Sequence, residues 1–353
     1  MPITRLPATA LLPRLAQFSQ IVDARSEDEY ALDHLPGAVN WPTLRNEERR
    51  IVGTAFKQIS AFEARKRGAA MAARNIAAHL EREVLALPTD WRPLLYCWRG
   101  GQRSGALALI LDQIGFRVTL VEGGYKDFRR AVVDDTPQRV AALSLRVVCG
   151  TTGSGKTRLL HALAREGAQT LDLEDLARHR ASVLGALPGL DQPSQKHFET
   201  LLWTRLAGFD PARPVYVECE SKKVGNVAVP EALMQAMRAA PCLHLQLPDE
   251  ERVQLLLEDY AALLVAPEYL CARLEVLRSM RGRVIVETWQ AHARAGRFEV
   301  LVCDLLRQHY DPGYLTSISR SFDGFGRASK WQAVDRSDAA MQAVARHILA
   351  ADS

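Results

Sequence analysis

The chain has 353 residues, 48% hydrophobic and 24% charged, with a formal net charge of +4, which is ample for two cores and makes two domains the natural prior. The six cysteines (Cys97, Cys149, Cys219, Cys242, Cys271, Cys303) show neither Cys-x-x-Cys nor Cys/His zinc spacing, which argues against a disulfide framework and for a reducing compartment. Three prolines break the N-terminal stretch and no apolar run has the length of a signal peptide or membrane span, so a cytoplasmic protein with no membrane partner is expected.

Gln20-Ile21-Val22-Asp23 reads as a short buried strand, Glu27 to Leu32 as a helical turn, and His34 to Asn40 as a turn feeding another strand. Lys57 to Leu87 is Ala-rich and reads as mostly helical, with Gly68 as its weak point. The basic excess is local. Residues 1–140 hold 20 Lys+Arg against 16 Asp+Glu, whereas the remainder is balanced at 25 and 25. Within Arg45–Arg74, eight cations (Arg45, Arg49, Arg50, Lys57, Arg65, Lys66, Arg67, Arg74) face three carboxylates. Such a run suggests a polyanion partner, although a solvated helix face is the commoner explanation.

The apolar run Pro93 to Tyr96 ends at Cys97, followed by Trp98-Arg99-Gly100-Gly101-Gln102-Arg103-Ser104 and a helix over Gly105 to Ile114 that Gly115 closes. Cys97 thus stands at the carboxyl end of a strand, beside a helix N-terminus and two arginines. These surroundings favour a thiolate and an oxyanion next to it. An inert buried cysteine would need neither the glycines nor the arginines. Arg117 to Val121 is the next strand, and Lys126 to Val133 a helix. Strands alternating with helices imply a parallel sheet covered on both faces.

Asp134-Asp135-Thr136-Pro137-Gln138 reads as a linker, dividing the chain into residues 1–137 and 142–353. Beyond it, the strand Leu145 to Cys149 runs into Gly150-Thr151-Thr152-Gly153-Ser154-Gly155-Lys156-Thr157 and then a helix, the context a phosphate-binding P-loop requires. Lys156 would reach the outer phosphate and Thr157 is a candidate Mg²⁺ ligand. Glu218, ending Val215-Tyr216-Val217, is the candidate acidic partner, with Glu220 close by. Asp172, Glu174, Arg178, His179 and Arg180 form a candidate polar wall over the phosphates, or else an ordinary solvated helix start. His161, His244 and His309 receive no role. The region of about 249–353 reads as helical, with breaks near Pro267, Gly282, Gly296 and Asp311-Pro312-Gly313.

The pieces IVDARSEDEY, HLPGAVN, CWRGGQR and VEGGYKDF resemble a rhodanese domain, in which a loop cysteine carries a chalcogen. Together with the P-loop, DLEDLARHRAS and the C-terminal HYDPGY, they make nearly the whole chain similar to the tRNA 2-selenouridine synthases. The resemblance implies an α/β fold. A rhodanese-like parallel sheet with helices on both faces would be followed by a P-loop NTPase-like α/β domain with a mainly helical C-terminal part. It implies a transferase that converts wobble 2-thiouridine of tRNA to 2-selenouridine, first by S-geranylation from geranyl diphosphate, then by selenium transfer from selenophosphate. By matching position, Cys97 would be the catalytic residue, residues 98–104 the selenophosphate loop, and Gly150 to Thr157 the diphosphate loop. Arg45, Arg49, Arg50, Arg65, Lys66 and Arg67 are then the candidate RNA contacts near the anticodon region. No tightly bound cofactor is expected beyond Mg²⁺, and the chain is expected to be a monomer. Tyr96 and Trp98 flank Cys97, so no neighbouring thiol can discharge it. The alternatives are a rhodanese-type sulfurtransferase or a Cys-x5-Arg phosphatase, either fused to a P-loop nucleotide-binding module. A P-loop switch carrying an inactive rhodanese platform is a further, non-enzymatic one.

Overall fold

Ile21-Val22 and Leu94-Leu95 are apolar at consecutive positions, so both faces of the strands they form must be covered. The computed structural model describes residues 3–180 and 190–352. It divides the chain into one unit of residues 1–136 with 196–204 and a second of residues 137–195 with 205–353. In the first unit, β1 (Thr4–Pro7), β2 (Gln20–Asp23), β3 (Ala38–Asn40), β4 (Pro93–Tyr96) and β5 (Thr119–Glu122) form one parallel sheet ordered β1-β5-β4-β2-β3. The helices are α1 (Ala8–Leu11), α2 (Glu27–Leu32), α3 (Asn46–Gln58), α4 (Ala61–His79), α5 (Gln102–Ile114) and α6 (Gly124–Ala141). Ile21, Leu94 and Tyr96 pack on one face with Phe128 and Val132 of α6; Val22 and Leu95 pack on the other with Leu107 and Leu111 of α5.

Two expectations need correction here. The helix expected over Lys57 to Leu87 is interrupted at Ser60, whose hydroxyl accepts the Glu63 N–H at 3.1 Å and starts α4. Gly68 instead lies inside α4, where a side-chain carbon would meet Val52 at 3.4 Å. The expected linker Asp134–Gln138 does hold the boundary between the two units, at residues 136 and 137, but the chain there is helical, within α6. Pro137 forfeits one helical hydrogen bond, but Val132 and Val140 on either side of it are buried, and that burial keeps the helix running.

In the second unit, β6 (Leu145–Cys149), β7 (Gln169–Leu171), β8 (Val215–Glu218), β11 (Cys242–Gln246) and β12 (Ser329–Gln332) form a parallel sheet ordered β12-β11-β6-β8-β7; β9 (Lys223–Val224) and β10 (Val227–Ala228) make a separate hairpin. The central strand β6 feeds the phosphate loop and α7 (Lys156–Arg165), followed by α8 (Leu173–Ala177) and α9 (Gln195–Ala207). Val148, Leu159, Leu163, Leu245 and Met341 share one core. The middle of α9 belongs to the first unit, where Trp203 joins the core beside Phe128. After α10 (Glu231–Ala239) and α11 (Asp249–Asp259) come α12 (Ala261–Leu264), α13 (Pro267–Glu275), α14 (Arg278–Arg281), α15 (Arg283–Arg294), α16 (Phe298–Leu305), α17 (Asp311–Ser321) and α18 (Asp338–Asp352). Pro267 opens α13, and Gly282 and Gly296 separate helices as expected. Asp311-Pro312-Gly313 does not break the helix: the π-helical turn Leu306–Tyr310 runs directly into α17, and Pro312, which has no N–H to give, falls at that junction, where the hydrogen-bond spacing changes. Among the described residues no helix is long and apolar enough to cross a membrane.

Candidate active sites

In the first unit Cys97 leaves the end of β4 and is 2% exposed. Its Sγ accepts a hydrogen bond from Ser104 Oγ at 3.4 Å and donates to the Arg99 carbonyl at 3.8 Å. Gly101, at φ +73°, is the N-cap of α5, so the first amides of that helix are left for the loop and what it holds. From behind, α6 fixes the loop. The Tyr125 N–H donates to the Cys97 carbonyl at 2.8 Å and the Lys126 N–H to that of Trp98 at 3.1 Å. Gly124, at φ +62°, permits this approach; a side-chain carbon there would sit 2.4 Å from the Cys97 oxygen. Trp98 stacks on Tyr125 with ring centres 5.6 Å apart, and the Tyr125 hydroxyl donates to buried Asp33 at 2.7 Å. Asp33 also holds Thr200 and His197 of α9.

The two loop arginines differ. Arg103 is engaged by a carboxylate of the chain itself: its guanidinium donates to both oxygens of Glu29, at 2.6 and 3.2 Å. Burial raises the Glu29 carboxyl, and Arg103 outweighs it, holding the group at about 2. The expectation that Arg103 serves the anion loop therefore meets a competitor, a carboxylate 74 positions earlier. The same pairing counts against a Cys-x5-Arg phosphatase, which needs that arginine on the phosphate. Arg99 is exposed and has no ion-pair partner among the described residues, and Gln102 is exposed beside it. Sequence reasoning missed Arg5 on β1. Its Nη1 lies 3.3 Å from where a Gly101 side-chain carbon would be, and nothing local marks it. Of the basic run on α3 and α4, Arg49 pairs with Glu29, Arg50 with Glu47 and Lys66 with Glu63. Arg45, Arg65 and Arg67 have no ion pair among the described residues.

In the second unit the phosphate loop closes on itself and on α17. Lys156 Nζ donates to the Gly150 carbonyl at 2.9 Å and lies 5.7 Å from the Tyr314 ring centre, while the Gly150 N–H donates to the Tyr314 hydroxyl at 2.7 Å. Arg252, buried on α11, gives the Thr152 carbonyl two hydrogen bonds, at 2.8 and 3.1 Å, and pairs with Asp311 at 2.6 Å. The HYDPGY segment thus supplies two residues that shape the loop. Their only signal in the sequence was membership of that motif.

Lys156, Thr157, Glu174, Arg180, Glu218 and Glu220 line a cavity of ≈ 710 Å³. Burial first, then Glu174, pushes the Glu218 carboxyl up to about 8, with Lys156 opposing; Glu220 is raised for the same reasons. Oxygens of Glu174, Glu218 and Glu220 lie within 4.8 Å of one another, and Glu218 Oε1 is buried without a hydrogen-bond partner. A hard divalent cation fits that donor set. The rest of the expected wall is divided. Asp172 caps α8 through the Asp175 N–H at 2.8 Å and holds His161, a residue given no role from sequence, at 3.2 Å. Arg180 donates to the Asp259 carbonyl and lies 5.0 Å from the Tyr260 ring centre. Arg178, exposed at φ +49° beyond α8, and His179, which burial pushes below its usual value, lie outside the cavity lining. Ala181 and Ser182 of the same run lie outside the described residues. At Thr152, Leu256 and Tyr260 the cavity meets an apolar slot lined further by Leu270, Leu301 and Leu305. No sequence pattern could have joined these leucines to the loop, since they come from three further helices.

Comparison with known proteins finds a separate family match for each half of the chain. Residues 8–131 match the rhodanese-like domain family, and residues 143–273 match the tRNA 2-selenouridine synthase AAA domain family. A tRNA 2-selenouridine synthase of Nitrosomonas europaea is 36% identical, the match covering 68% of this chain and 63% of that protein. One from Alcanivorax borkumensis is 32% identical, over 85% of this chain and 90% of that protein. The solved N-terminal domain of an ATP/GTP binding protein from Clostridium difficile 630 is 31% identical, covering 37% of this chain and 98% of that one, with a TM-score of 0.31.

Proposed function

The chain belongs to the tRNA 2-selenouridine synthase family, and we propose that it replaces the sulfur of wobble 2-thiouridine by selenium in two steps at two separate sites. In the first, the thione sulfur attacks the allylic carbon of geranyl diphosphate. A C–S bond forms, a C–O bond breaks, and diphosphate leaves with the electron pair while the uracil loses its N3 proton. Lys156 and the loop amides take up the charge that develops on the diphosphate. In the second, the selenium of selenophosphate, held at the Cys97 loop, adds to C2; a C–Se bond forms, the C–S bond breaks, and geranylthiolate leaves with the electron pair, after which water breaks the P–Se bond and phosphate leaves. Arg99 and the first amides of α5 would hold the selenophosphate oxyanion.

The observation that carries the first step is the apolar slot opening from the phosphate-loop cavity. It suits a diphosphate with an apolar tail. A nucleoside would need polar groups where Leu256, Leu270, Leu301 and Leu305 stand. Thr157 with Glu174, Glu218 and Glu220 would hold Mg²⁺, which when bound supplies positive charge to a diphosphate.

A thiolated anticodon stem-loop incubated with two variants, followed by nucleoside mass spectrometry, tests the reading. Cys97→Ser should still make and accumulate S-geranyl-2-thiouridine. Lys156→Ala should geranylate about 10²–10⁴ more slowly, yet convert pre-geranylated RNA when given selenophosphate. If Cys97→Ser abolishes geranylation while the protein stays folded and binds RNA, the two-site division is wrong.

A further inference from the structure

The two-helix hairpin α3–α4 ends in an apolar tip on a basic stem. Its two helices meet through buried Ala55 and Ala64, with Val52 against Gly68, and the chain turns at Ile59-Ser60. Around that turn Phe56, Ile59 and Phe62 are 61%, 57% and 62% exposed. Single exposed apolar residues are ordinary, but three within seven positions, two of them aromatic, are a patch. Lys57, Arg65, Arg67 and Arg74 are exposed on the same two helices and have no ion-pair partner among the described residues, while Lys66 Nζ lies 5.2 Å from the Phe62 ring centre.

We propose that this tip receives unpaired bases of an RNA loop, with Phe56 and Phe62 as stacking surfaces and the flanking cations on the backbone phosphates. The inference rests on tRNA being the substrate and goes beyond it by naming the segment that reads single-stranded RNA. Charge selects the occupant. Eight cations against three carboxylates over Arg45–Arg74 suit a polyanion, whereas the core of a protein–protein contact is depleted of charge. The rings select the unpaired form. In a duplex the base faces are stacked on one another, and only splayed bases offer theirs to an aromatic side chain.

Titration of the full chain with an anticodon stem-loop RNA, and with a fully paired RNA duplex of equal length, at several salt concentrations tests this. Phe56→Ala with Phe62→Ala should weaken stem-loop binding on the order of tenfold per ring, leave duplex binding and the salt slope unchanged, and leave thermal unfolding alone because both rings are exposed. Phe62→Tyr should retain affinity. Arg65→Ala with Arg67→Ala should instead flatten the log–log salt slope by about 0.7 per lost contact. Wild-type affinity in the double phenylalanine variant, or equal loss on stem-loop and duplex, overturns the stacking tip while the tRNA reading stands. A change in sedimentation with RNA binding intact overturns it in favour of a contact between copies of the chain. A wild-type protein that binds neither RNA overturns the tRNA reading and the tip together.

Discussion

Arg103→Ala separates a structural pairing from an anion contact. The guanidinium bonds both Glu29 oxygens, and the two side chains are only 18% and 11% exposed. Removing one partner of a buried pair costs about 3–5 kcal/mol. Here Glu29 keeps Arg49 at 3.3 Å and the Ser26 N–H and hydroxyl, so about 2–3 kcal/mol is expected. In a unit of about 145 residues that lowers Tm by roughly 4–12 °C. The pH dependence follows from Glu29, held at about 2 against an ordinary 4.5. A depressed carboxyl contributes stability that is present above its ordinary value and lost as pH falls through 2. The gap between wild type and variant should therefore be full above about pH 4.5 and close toward pH 2. Calorimetry of the full chain, following the transition of the first unit, supplies the numbers, and a double-mutant cycle with Glu29→Gln supplies the coupling. A coupling below about 0.5 kcal/mol, or a gap that acid does not close, refutes the pairing. Arg99→Ala should leave stability unchanged and weaken selenophosphate.

Gly124→Ala places a carbon within 2.4 Å of the Cys97 carbonyl at a positive φ, so selenium transfer should fall on the order of 10²-fold while geranylation persists; equal loss in both assays would point to general misfolding. Arg252→Ala frees the Thr152 carbonyl and leaves Asp311 without its cation, and diphosphate affinity by calorimetric titration should drop about tenfold or more, with Arg252→Lys restoring only part of it. Glu218 ionises only near pH 8 when no cation is bound, so Mg²⁺ binding should release protons and tighten as pH rises toward 8, an effect absent in Glu218→Gln. In the metal-free protein that raised carboxyl contributes stability that is full below its ordinary 4.5 and lost as pH rises through 8, so Glu218→Gln should flatten the pH–stability curve across that window.

The local architecture was legible in the sequence alone. A strand, glycines and a helix N-terminus within ten residues turn backbone amides toward one loop, so the loops after β4 and β6 declare themselves as candidate anion sites, and the parallel strands under them are legible too. Composition also placed the basic run on the first unit. Pairing at long range was not legible. Arg103 lies next to Cys97 in the chain, but Glu29 has the geometry to take it, and no local pattern reports a partner 74 residues away. The same holds for Tyr314 and Arg252 on the phosphate loop, for Asp33 under Tyr125, and for the leucines that line the apolar slot beside that loop. Periodicity reports which face of a helix is buried but not what buries it. Partner choice is fixed only when elements distant in sequence compete for the same charge or the same apolar surface, and that competition is settled by tertiary packing.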